Sequence, residues 1–127
     1  MWNGINRRKF PRANYKCLIS IKRRLTSKTI STHTENIGAG GICVLVKEDL
    51  GLFQGVDLEL YVDDATPPIK CEGTIVWVVK KSEPKQKGIY LYDTGVEFID
   101  IRPEDRDKVS ALVEEILKTH RHTARNT

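Results

Sequence analysis

The feature that most constrains the fold of this chain is an apolar–polar alternation with a period of two, recurring between residues 15 and 98 and absent beyond them. Successive side chains of a strand point to opposite faces, so this period marks strands with one buried face. Tyr15, Cys17, Ile19 and Ile21 alternate with Lys16, Ser20 and Lys22, which predicts one half-buried strand. Residues 28–35, "KTISTHTE", are β-branched yet polar, and are expected to form a strand at an edge or facing solvent. "GICVLV", 41–46, is a continuous apolar run of the length of a central buried strand. Val56, Leu58, Leu60 and Val62 alternate with Asp57, Glu59 and Asp63. Ile69, Cys71, Ile75, Trp77 and Val79 are expected to line one face of a longer strand, which puts Trp77 in the core. Gly73 interrupts that strand and predicts a bulge or a bend at a barrel corner. Val96 and Phe98 mark a last strand.

The period then changes to about 3.6. Pro103, Glu104 and Asp105 suit the first turn of a helix, where proline lacks no needed donor and acids face the positive dipole end. Val109, Leu112, Val113, Ile116 and Leu117 form one apolar stripe that must pack on something. Six short strands and one terminal helix predict a mainly β fold, a small antiparallel barrel with a helical cap. With 127 residues, no repeat and no linker, the chain reads as one barrel-plus-helix domain over 13–119. A flexible basic arm over 1–12 is expected to precede it, and a disordered tail over 120–127 to follow.

Composition excludes several classes. No apolar run reaches the roughly 18 residues of a membrane span, and no basic-then-apolar signal layout opens the chain, so a cytoplasmic protein without membrane insertion is expected. Cys17, Cys43 and Cys71 are far apart and fall in strand-like runs, where a thiol behaves as a small hydrophobe. His33, His120 and His122 have no neighbouring ligand set, which argues against a metal site. Asp93, Glu97 and the Asp63–Asp64 pair read as solvated carboxylates, and no Ser-His-Asp set is present, so the chain is not expected to be an enzyme. The net charge of +4 suits an anionic partner.

Two segments carry the candidate chemistry. "RRKFPR", 7–12, places Arg7, Arg8 and Arg12 around a Phe-Pro pair just before the first strand, where Pro11 fixes its own φ and holds Phe10 extended. "ENIGAGGI", 35–42, has Gly38, Gly40 and Gly41 within four positions, a loop in which glycine permits positive φ and close backbone approach. No Gly-Lys-Ser/Thr follows it and no helix follows it, so it is neither a Walker loop nor a dinucleotide fingerprint.

Together these segments resemble the PilZ domain family, whose members bind the bacterial second messenger cyclic di-GMP. Arg8 and Arg12 match its R-x-x-x-R stretch, and Asn36 and Gly41 match its D/N-x-S-x-x-G motif, with Gly38 where the family has serine. "GTIVWV" (73–78) and "TGVEFIDI" (94–101) are similar to late strands of that family. The resemblance implies a six-stranded antiparallel PilZ-type β-barrel with a C-terminal α-helix, no cofactor, and cyclic di-GMP as ligand. It implies ligand contacts from Arg7, Arg8, Arg12, Asn36, Gly38, Gly40 and Gly41. Arg7 directly before the motif accompanies, in the family, binding of an intercalated pair of cyclic di-GMP molecules.

Arginine suits such a ligand because its planar guanidinium forks onto phosphate oxygens or onto guanine O6 and N7, and stacks on purines. A charge-assisted hydrogen bond contributes roughly 1.5–3 kcal/mol, against the roughly 8 kcal/mol of micromolar binding. The expected role is a sensor in which ligand orders the arm and changes a surface seen by an unknown protein partner. The alternative is a family member that binds no nucleotide and acts as an adaptor by protein contact. A barrel binding single-stranded nucleic acid ranks below both, because only 7% of residues are aromatic and most occupy core-like positions.

Overall fold

The computed structural model describes residues 11–126, with side chains as far as Thr119. Arg7, Arg8 and Phe10 lie outside the described residues. Among the described residues seven strands, β1 (Arg12–Asn14), β2 (Leu18–Arg23), β3 (Thr29–Gly38), β4 (Gly41–Val46), β5 (Gly55–Tyr61), β6 (Ile69–Lys80) and β7 (Tyr92–Phe98), precede one helix, α1 (Pro103–Asn126).

Every strand pairing is antiparallel. Strands β3, β2, β5, β6, β7 and β4 are hydrogen-bonded in that order, and β4 returns to β3, which closes a six-stranded barrel. Closure removes the open edges that would otherwise template aggregation. The seventh strand, β1, lies outside the ring and pairs with the last three residues of β3, Asn36 to Gly38.

The expected alternation fills the barrel. Ile19, Ile21, Ile37, Ile42, Val44, Val56, Leu58, Leu60, Ile69, Ile75 and Val96 are buried inside it. Val109 and Val113 of α1 join this core, and Leu112, Ile116 and Leu117 pack against it, as the 3.6-residue stripe predicts. The acidic first turn of the helix is tied locally, Arg102 Nε donating to Asp105 Oδ2 at 2.9 Å.

Three local readings need correction. Residues 15–17 do not continue a strand: they are a kink between β1 and β2, and both strands use the same edge of β3. Thr34 plugs the kink, its buried hydroxyl donating to Tyr15 O at 2.6 Å and accepting from Cys17 N at 3.1 Å. The polar strand expected at 28–35, at an edge or facing solvent, does face solvent through Thr29, Ser31 and His33, but it is not an edge strand and does not finish there. It runs to Gly38 and pairs on both sides, with a register shift between Thr34 and Asn36. "ENIGAGGI" is therefore mostly strand, with a tight Ala39–Gly40 turn between the paired Gly38 and Gly41.

Of the bulge or bend expected at Gly73, the bulge lies elsewhere. Gly73 keeps regular pairing with Phe98 and Val56, whereas the register shift falls between Ile75 and Trp77 and leaves Val76 unpaired. One extra residue reverses the facing of everything after it. Ile75 stays in the core, but Trp77 is carried to the outer wall and Val79, on the same side, is 55% exposed. No helix among the described residues is long and apolar enough to cross a membrane.

Candidate ligand-binding face

The two register shifts, at Glu35 in β3 and at Val76 in β6, align one row of residues on the outside of the barrel. Across neighbouring strands the partners run Asn14–Asn36–Cys43–Gly95–Trp77. Beside it runs a second row, Arg12–Gly38–Gly41–Glu97. Of the residues named from sequence, the structure brings Arg12, Asn36, Gly38 and Gly41 together on this wall, with Gly40 in the adjoining turn, its carbonyl accepting from Phe98 N at 2.9 Å. The sequence reading missed Cys43, Asp93, Gly95 and the outward Trp77.

Arg12 is the centre of the arrangement. Its Nη1 donates to Asn36 Oδ1 at 3.3 Å, and its guanidinium carbon lies 5.6 Å from the centroid of the Trp77 ring. That distance is within the range of cation–π attraction, which adds roughly 0.5–1 kcal/mol at a partly exposed site. Trp77 is itself seated by a glycine. A Cβ on Gly95 would lie 2.5 Å from Trp77 Cε2 and closer still to Cδ2 and Cε3, so the indole lies against the bare backbone of β7. A glycine inside a strand often marks such an approach, which is the signal that could have drawn attention to position 95.

The motif glycines serve space and not backbone conformation. Gly51 and Gly88 are the glycines with positive φ among the described residues, and neither belongs to the motif. A Cβ on Gly41 would strike Val96 O of β7, and one on Gly38 would strike the arm.

Next to Arg12 and Asn36 opens a groove of about 520 Å³, walled by Asn14, Lys16, Asn36, Cys43, Lys81 and Asp93 among others. Asp93 is not a solvated carboxylate: it is partly buried and accepts from the Cys43 thiol at 2.7 Å. Burial chiefly, and then this bond and the carboxylate's charge, push the Cys43 thiol up to about 12, with Arg12 pulling the other way. The thiol is thus a neutral donor that orients Asp93, and the charge of Arg12 is felt across the row. Among the described residues no group of three His, Cys, Asp or Glu side chains could hold a metal ion.

The chemistry on this wall is a guanidinium over an indole, an amide whose oxygen is already engaged by arginine, a carboxylate, and two lysines at a groove. Planar arginine donors match phosphate oxygens or the O6/N7 edge of guanine. A carboxylate accepts from the N–H edge of the same base.

The family model described as PilZ domain matches residues 6–115. A search of curated proteins returns no match. Among solved structures, the PilZ domain of YcgR from Escherichia coli with c-di-GMP superposes with a TM-score of 0.69 at 11% identity, covering 95% of this chain and 99% of that one. The K. pneumonia MrkH–c-di-GMP complex gives 0.70 at 16% identity, over 91% of this chain and 55% of that one. The Bacillus subtilis inhibitor of motility, MotI/DgrA, gives 0.66 at 19% identity, over 91% of this chain. The chain spans about half the length of MotI/DgrA, 52%. At these identities the likeness establishes the fold, including the barrel and the C-terminal helix.

Proposed function

The chain belongs to the PilZ domain family, and from that premise we propose that it is a cyclic di-GMP receptor that works by binding and contact, without catalysis, in the cytoplasm. The observation that carries the reading is the docking of Arg12 between the Asn36 amide and the Trp77 indole, on the wall that also bears Gly38 and Gly41. Arg12, Asn36 and Gly41 are family-motif positions implied by the resemblance, and they converge although 24 residues separate Arg12 from Asn36. YcgR and MrkH, which share the fold, were solved with c-di-GMP.

In this reading Arg12 meets a phosphate or a guanine edge from its indole support, and Asn36 offers its amide NH₂ to the base. Gly40 and Gly41 keep side chains away from the ligand. Arg7 and Arg8 close over it from the arm, and Arg7 recruits a second, intercalated cyclic di-GMP. Ordering of the part of the arm that carries Arg7 and Arg8 then changes a surface read by a protein partner.

Titration calorimetry tests this with cyclic di-GMP, GMP, GTP and a short oligonucleotide, on the wild type and on Arg8→Ala and Arg12→Ala. Selective saturable binding of cyclic di-GMP, lost in both variants, supports the receptor. Silence toward every ligand would replace it with the adaptor acting through protein contact, and a strongly salt-dependent oligonucleotide signal would replace it with a nucleic-acid binder. A stoichiometry of two ligands per chain is expected, and one-to-one binding would remove the intercalated pair.

A further inference from the structure

The family pattern has serine where this chain has Gly38, and a simple comparison of motifs predicts that the missing hydroxyl weakens binding. The structure gives the position a different meaning. Gly38 pairs with Arg12 across β1 and β3, and it is buried. A Cβ built on it would lie 2.8 Å from the Pro11 carbonyl oxygen, 2.9 Å from Arg12 Cγ and 3.6 Å from Arg12 Cα. The first is a backbone atom and the second is the root of a side chain, so neither moves aside as the tip of a flexible chain would. The space that a side chain at 38 would occupy is filled by the arm.

The arm is held there by more than this one contact. Three consecutive residue pairs, Arg12 to Asn14 with Gly38 to Asn36, form the ladder. Ala13 is buried, and the Thr34 hydroxyl fixes the chain at Tyr15 and Cys17 immediately after β1. The Arg12 backbone is therefore held by contacts within the protein itself, and its guanidinium rests on Asn36 and Trp77.

We propose that the absence of a side chain at position 38 is what lets β1 zip onto β3 with Arg12 already positioned, so that restoring the family's serine weakens cyclic di-GMP binding. Gly38 is a positioning residue for Arg12, acting by leaving room. This rests on the receptor reading above for its ligand and on the steric fit alone for its effect on the arm. A serine would add one hydroxyl contact but displace β1. Returning even one residue to disorder before binding corresponds to about a tenfold loss of affinity.

The test uses the full chain as wild type, Gly38→Ala and Gly38→Ser. Amide hydrogen exchange is followed without ligand, and cyclic di-GMP is then titrated. Both variants are expected to exchange faster across residues 12–14 and 36–38 with β5 and β6 unchanged, and to bind about tenfold more weakly. Gly38→Ala separates the Cβ from the hydroxyl, and exchange of β5 and β6 reports in the same experiment whether the barrel has folded. Should the Gly38 variants not fold, Asn14→Pro unzips β1 at an exposed position and is expected to give the same pattern. Wild-type exchange rates in β1, or tighter binding by Gly38→Ser, would overturn the proposal. Faster exchange in a protein whose wild type ignores cyclic di-GMP would overturn the receptor reading and the affinity claim, while the steric claim about the arm would stand.

Discussion

Replacing Gly95 by alanine puts one methyl group where the Trp77 indole lies. The new carbon would sit 2.5 Å from Cε2 and closer to Cδ2 and Cε3, against an ordinary contact of 3.4 Å or more. The ring must withdraw by at least about 0.9 Å at Cε2, because Gly95 is fixed by pairing with Cys43 on one side and Trp77 on the other. Overpacking of this kind costs roughly 1–3 kcal/mol of stability. Displacing the indole also removes the surface on which Arg12 rests, roughly 0.5–1 kcal/mol of cation–π attraction, or about 2–5-fold in any affinity that depends on Arg12 being in place. The assay is urea denaturation followed by titration with cyclic di-GMP, in a Trp2→Phe background so that Trp77 alone reports by fluorescence. Gly55→Ala is the control: it is also a strand glycine, but its new carbon would meet the flexible guanidinium end of Arg24 at 3.3 Å. Gly95→Ala is expected to lower the urea midpoint, shift Trp77 emission and weaken binding, with Gly55→Ala near wild type. If the two variants behave alike in stability and emission, the indole is not seated on β7 and the account of this wall fails.

Two further outcomes follow from the buried polar groups. Thr34→Val removes a hydroxyl that serves Tyr15 O and Cys17 N in a fully buried position, leaving two backbone groups without their partner, and is expected to cost about 2–4 kcal/mol by urea denaturation. A cost below about 0.5 kcal/mol would mean that the kink is not held by Thr34. Cys43 and Cys71 are pushed up to about 12 and about 11, and Cys17 is also raised, all chiefly by burial. Their folded values exceed the unfolded thiol value of about 8.5, so the folded state binds more protons between the two. Stability is therefore fully present below pH about 8.5 and falls as pH rises toward 11–12, with a slope approaching about 1.4 kcal/mol per pH unit for each thiol. Chemical denaturation from pH 8 to 11 measures this, and Cys43→Ala should flatten the slope; an unchanged slope would show that the Cys43 thiol titrates normally.

Much of the barrel was legible because its signal is local. Ile19 and Ile21, Leu58 and Leu60, and Val109 and Val113 each announce a buried face by spacing alone, and all are buried as expected. Arg12, Asn36, Gly38 and Gly41 were named through the resemblance to the PilZ motifs, and they share one wall. Trp77 was assigned to the wrong side because residues 75–79, "IVWVV", are apolar throughout and carry no period that could reveal a bulge at Val76. Asp93 looked like any exposed acid, since nothing near it in sequence indicates the Cys43 thiol 50 residues away.

The order of side chains along this polypeptide was enough to determine most of the strands, where the helix begins, and most of the residues that fill the barrel. Periodicity and first-turn chemistry operate over a few neighbouring residues. Which wall receives Trp77, why positions 38, 41 and 95 hold no side chain, and where Arg12 comes to rest were decided only when distant strands paired. A one-residue slip in register reverses every later face, and the available room depends on atoms supplied by another part of the chain.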